Sequence, residues 1–124
     1  MKLDKVLGCL LGVTLVSASW AQGAIRNQTL CGWYENPTPA NFYLTDKSGQ
    51  WVIGLQGGHQ AEGDLPEFKD SQWKAYDTSR GYGYGCACIQ GRVNTSTREV
   101  LEINKSQVKA IAACRQDKSL PAMH

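Results

Sequence analysis

Two cysteines one residue apart, Cys86 and Cys88, with single cysteines far to either side at Cys31 and Cys114, restrict this chain of 124 residues more than any other feature. Four thiols allow three pairings, and a bridge between Cys86 and Cys88 would be badly strained at that spacing. Two pairings remain: Cys31 with Cys86 and Cys88 with Cys114, or Cys31 with Cys88 and Cys86 with Cys114. Either one ties an early and a late segment to the same central strand, and each closed loop stabilises the fold by roughly 2–4 kcal/mol. A redox-active Cys-x-Cys pair or a four-thiolate zinc site would use the same residues. Zinc sites ordinarily carry Cys-x2-Cys pairs, which are absent, so structural disulfides are the expectation, with no metal and no cofactor.

Disulfides belong to oxidising compartments, and the start of the chain agrees. Lys2 and Lys5 precede an apolar stretch over residues 6–16, and Ser19-Trp20-Ala21 offers the small residues Ser19 and Ala21 for a signal peptidase. Residues 1–21 therefore read as a signal peptide, and residues 22–124 as a single exported domain, periplasmic or secreted. The apolar stretch is shorter than the ~20 residues of a membrane span, and no other segment comes near that length. The fifth cysteine, Cys9, lies early in the apolar segment, most of which follows it, instead of after that segment, which does not suit lipidation. Of 13 basic and 11 acidic residues the leader takes Lys2, Lys5 and Asp4, so the remainder is nearly neutral. No window concentrates basic side chains, which argues against nucleic acid or a membrane surface as partner.

After a polar lead-in over residues 22–30, the turn-rich segment 35–41 contains Pro37 and Pro39, which forbid a helix. Residues 42–45 and 50–55 are aromatic and β-branched runs separated by Asp46-Lys47-Ser48-Gly49, the pattern of a hairpin. Residues 56–70 are irregular and form a long loop by ordinary standards. The run from Asp70 to Asp77 fits a short helix or a strand equally.

From Gly81 to Val93 the residues alternate, with Tyr82, Tyr84, Cys86 and Cys88 on one face and Gly83, Gly85, Ala87 and Ile89 on the other. Glycines inside a strand weaken it unless a backbone or ligand approaches closely, or a bulky neighbour packs over them. A partner strand follows over 98–103. Asn104 stands where a helix N-cap would, and Val108, Ile111, Ala112 and Arg115 fall at helical spacing, so a helix is expected over 105–116. The expected fold is α+β: a small antiparallel sheet of four or five strands with a C-terminal helix packed on it, stapled by two disulfides.

Several motifs occur together: Cys31-Gly32-Trp33, Asn36-Pro37-Thr38-Pro39-Ala40-Asn41, Gln56-Gly57-Gly58, Tyr82-Gly83-Tyr84-Gly85-Cys86-Ala87-Cys88, and Cys114-Arg115-Gln116-Asp117. In order and spacing they resemble a family of small bacterial exported proteins of unknown function. The resemblance implies a bacterial source, a periplasmic or secreted location and one compact domain; it brings no activity or catalytic residue.

Catalytic signals are sparse. His59 is the one histidine away from the C-terminus, and Glu62, Asp64, Glu67 and Asp70 lie near it in sequence, so a small cell-envelope hydrolase would pair His59 with one of these carboxylates. No nucleophile elbow or phosphate-binding loop is present. Aromatic rings beside amides suit recognition better: Trp51, Tyr82 and Tyr84 with Asn36, Asn41 and Gln56 are the candidate binding residues, since rings supply contact area and amides supply directional hydrogen bonds. Trp33, beside Cys31, reads as packing against a disulfide. The expected function is a binding module of the inhibitor or immunity type, engaging another protein or a cell-envelope glycan, with an exposed patch around Tyr82, Tyr84 and the 36–41 loop.

Overall fold

The computed structural model describes residues 8, 12, 13, 24–77 and 80–123. The leader expected over residues 1–21 lies outside these residues except at three isolated positions. In chain order the elements are β1 (Ile25–Thr38), β2 (Asn41–Asp46), β3 (Gly49–Gly54), a 3-10 turn (Asp70–Gln72), β4 (Trp73–Ala75), β5 (Gly83–Asn94), β6 (Glu99–Lys109) and α1 (Ile111–Arg115).

The strand order is β1-β2-β3-β6-β5-β4, and β1 also pairs with β5. Five strands therefore close into a ring, with β4 attached to β5 as a side flap. All pairings are antiparallel except β3 with β6, which is parallel and carries a single registered pair, Val52 opposite Glu99. That seam is filled by the segment after β3: the Ala61 N–H donates to the Ile53 carbonyl (2.9 Å), and the Glu62 N–H to the Leu101 carbonyl (2.9 Å). Arg98 clasps the same seam. Its Nε donates to the Gln50 carbonyl (3.2 Å), its Nη2 to the Ser48 hydroxyl (3.1 Å), and its guanidinium lies 3.9 Å from the centre of the Trp51 ring.

The two expected strands of the hairpin are β2 and β3. Their turn is held by Asp46 Oδ1, which accepts from the Ser48 N–H (2.8 Å) and hydroxyl (2.6 Å). β1 begins at Ile25, earlier than the polar lead-in suggested, because it runs beside β5 from Ile25 opposite Asn94 to Asn36 opposite Gly83. Pro37 falls where the β1–β2 register slips between Glu35 and Thr38, a position that needs no ladder donor.

The helix expected over 105–116 is a correction. β6 continues to Lys109, with Ala87 opposite Val108, and only Ile111–Arg115 are helical. Asn104 is no N-cap: the β5–β6 register passes from Lys105 to Ile103 at Gln90/Gly91, so Asn104 is the extra residue of a bulge. Pairing with β5 along its whole length outweighs a four-residue helical signature. The molecule is thus sheet-dominated, mostly antiparallel, with one short helix and two disulfides.

Apolar side chains fill two sites on opposite faces of the β1–β5 ribbon. Inside the ring lie Leu30, Tyr34, Leu44, Trp51, Ile53, Ile89, Val93, Val100 and Ile103. Outside it, Trp33, Tyr84, Cys86 and Cys114 form a second cluster under Ile111, Leu120 and Met123, and the Trp33 indole donates to the Pro121 carbonyl (2.9 Å). The disulfides join Cys31 to Cys88 across neighbouring strands and Cys86 to Cys114 from β5 to α1. This is the second of the two pairings the spacing allowed.

Candidate functional site

β1 ends and β2 begins at one end of the ring, where the long connection between β3 and β5 folds back over the opening. A cavity of about 310 Å³ lies there, lined by Tyr34, Asn36, Phe42, Leu65, Pro66, Phe68, Asp70 and Trp73. Its size falls in the range of small-ligand sites. Tyr34 and Asn36 stand two apart on the inward face of β1, and Phe42 is the second residue of β2. Residues 65–73 supply the remainder.

Tyr34 is the centre of the aromatic wall. Its ring lies 6.2 Å from Phe42, 5.2 Å from Phe68 and 6.2 Å from Trp73, and Phe68 and Trp73 are 4.9 Å apart, with tilts of 28° to 56°. Burial pushes the Tyr34 hydroxyl well above the ordinary tyrosine range, so it stays protonated. The Trp73 indole donates to the Gly81 carbonyl (2.9 Å), which fixes that ring at the rim.

The glycine row on β5 has its explanation here. A Cβ on Gly85 would collide with the edge of the Phe68 ring and lie 2.8 Å from the Gln72 carbonyl oxygen, and one on Gly83 would meet the backbone of Lys74 and Ala75 in β4. Both close approaches anticipated for a glycine-rich strand occur, one to a bulky ring and one to a backbone. Together they seat Phe68 and Trp73 against the ring mouth.

Asn36 Oδ1 is buried and has no hydrogen-bond partner. An unmet buried acceptor costs about 1–3 kcal/mol, and such an atom in a cavity wall is an unused recognition group. Asp70, an exposed acidic residue, belongs to the same lining, and no basic residue does.

The other candidate residues are dispersed. Asn41 and Gln56 meet each other: Asn41 Oδ1 accepts from the Gln56 N–H (3.0 Å) and its Nδ2 donates to the Thr38 hydroxyl (2.5 Å), tying the β1–β2 turn to the loop after β3. Trp51 (1% exposed) lies inside the ring, and Tyr84 (2%) packs edge-on against Trp33 at 5.2 Å. Tyr82 is half-buried, its carbonyl accepting from the Tyr76 N–H (2.8 Å). The exposed patch expected around Tyr82 and Tyr84 is therefore absent, because Tyr84 faces the second core under the C-terminal segment.

His59 does not meet Glu62 or Asp64. Its Nε2 lies 2.7 Å from the Val100 carbonyl, to which it donates, and its Nδ1 is 3.7 Å from Glu99 Oε2. These contacts bind it to β6 as a strap on the seam, and it lines neither the mouth cavity nor the adjoining groove. That groove, of about 560 Å³, does contain Asp64 and Glu67, with Lys69, Lys105, Asn104 and Ser106; Leu65 and Pro66 line both spaces. Among the described residues no three His, Cys, Asp or Glu side chains are grouped to hold a metal ion, and no helix is long and apolar enough to cross a membrane.

Phe42, Phe68, Trp73 and Asp70 were not among the candidate binding residues. The sequence carries a signal for two of them: Phe68 and Trp73 fall in or just after a long segment without regular structure, and large rings in such a segment favour burial.

Among known proteins, a family model described as "Protein of unknown function (DUF4087)" matches residues 25–121. No curated protein and no solved structure matches the chain.

Proposed function

Within the DUF4087 family of unknown function, to which this chain belongs, we propose that the protein is an exported binding module that engages another protein through the cavity at the ring mouth, as an inhibitor or immunity-type protein does. The observation that carries this is the unpartnered Asn36 Oδ1 in an aromatic-lined cavity: an acceptor held ready at a site whose rings already pack together. Pre-organisation favours the reading as well. The wall residues come from two paired strands and from a segment pinned by glycine contacts, so little ordering entropy is lost on binding. Two disulfides suit a periplasmic or secreted location, where such a module would need to survive without cytosolic protection.

The test is capture from cell-envelope extract with the purified protein as bait, in three forms: unaltered, Trp73→Ala, and Lys47→Ala at the β2–β3 turn far along β2 from Phe42. A protein retained by the unaltered and Lys47→Ala forms, and lost with Trp73→Ala while circular dichroism shows the fold intact, supports the reading. Equal retention by all three forms overturns it, and so does a retained species that is released by a glycan-degrading enzyme instead of by protein digestion.

A further inference from the structure

Resting on that reading, the lining of the mouth cavity also selects the chemistry of its occupant. Four rings, Tyr34, Phe42, Phe68 and Trp73, surround it, and aromatic faces carry the negative part of the ring quadrupole. Asp70, an exposed residue of the lining, adds an acidic group, Asn36 Oδ1 is a buried acceptor without a partner, and no lysine, arginine or histidine lines the space to compensate. Rings, carboxylate and free acceptor share one preference, for a positively charged donor. We infer that the cavity takes a cationic nitrogen, an ammonium or guanidinium head, with its apolar stem lying along Leu65 and Pro66.

Other occupants fit less well. An anion meets Asp70 and the ring faces with the wrong sign. A neutral hydroxyl would satisfy Asn36 but leave the carboxylate and the quadrupoles without a charge partner. A purely apolar group would leave Asn36 Oδ1 without a donor. At about 310 Å³ the cavity has room for one side chain or a small amine, so the head can come from a lysine or arginine of a protein partner or from a free amine.

Two-dimensional amide spectra of the protein, reading the Trp73 indole and Asn36 side-chain signals, separate these cases. The probes are N-acetyl-lysine amide, N-acetyl-norleucine amide, n-butylammonium and N-acetylglucosamine. The expected result is that the lysine amide and butylammonium move both signals, that the norleucine amide does not, and that Asp70→Asn weakens the lysine response at least tenfold while Lys47→Ala leaves it unchanged. Tighter binding of the lysine amide than of butylammonium then assigns the head to a protein side chain, and the reverse assigns it to a free amine. Norleucine amide or N-acetylglucosamine moving the signals as strongly as the lysine amide, or an unchanged response in Asp70→Asn, overturns the cationic inference and leaves the cavity standing as the site. If no probe moves either signal the inference fails, and the capture experiment with Trp73→Ala decides separately whether the cavity binds anything.

Discussion

Single residues carry much of the shape of the mouth. Gly85 has no substitute, since a methyl group there must displace Phe68 or the Gln72 backbone. Gly85→Ala is expected to cost about 1–3 kcal/mol in chemical denaturation, in line with overpacking elsewhere, and to disturb the Phe68 and Trp73 signals first. Tyr76 gives a second residue-level expectation. Its ring is 47% exposed, yet desolvation of the hydroxyl, then the charge of Glu35 and the 3.1 Å bond its hydroxyl donates to Glu35 Oε2, push its pKa up to about 12. The raised value means the fold favours the protonated phenol. Its contribution to stability is complete below about pH 10 and is lost as pH rises through about 12. In an ultraviolet titration Glu35→Gln should lower the Tyr76 midpoint; an unmoved midpoint would show that the carboxylate plays no part. The glycine alternation on β5 was legible as a demand for close approach. The identity of the approaching groups was not, because Phe68 comes from a loop whose path no local pattern encodes.

At the level of elements, the seam between β3 and β6 is the least secure join, with one registered pair, and Arg98 and His59 are its fastenings. Arg98→Lys should destabilise the protein by about 1–2 kcal/mol, because an ammonium cannot hold Gln50, Ser48 and the Trp51 face together as a planar guanidinium does. The two disulfides differ in exposure: Cys31 is exposed, while Cys86 and Cys114 are each 3% exposed. Under graded reductant, thiol trapping with mass spectrometry should label Cys31 and Cys88 before Cys86 and Cys114, and the opposite order would contradict the placement of the second pair under the C-terminal segment. The β2–β3 hairpin and β5 could be read from alternation and turn chemistry. The C-terminal helix is shorter than its spacing implies. Val108, Ile111, Ala112 and Arg115 have helical spacing, but residues 105–109 extend the hairpin of β6 with the preceding β5, past a bulge at Asn104 that has the look of a cap.

For the molecule as a whole, the closed ring, its disulfides and its second core under α1 leave one end shaped as a cavity. Of the six candidate binding residues, Asn36 lines it; Trp51 and Tyr84 build the two cores that support it. Rings beside amides were thus a fair guide to composition and a poor guide to location, since which face of a strand turns inward is settled by ring closure and not by any local pattern. The proposed binding function places partners at this mouth. Hydrogen–deuterium exchange of the protein with its captured partner tests it most directly. Added protection is expected in residues 34–42 and 63–73, with none over α1 and the C-terminal segment. Protection confined to residues 111–123 instead would contradict it.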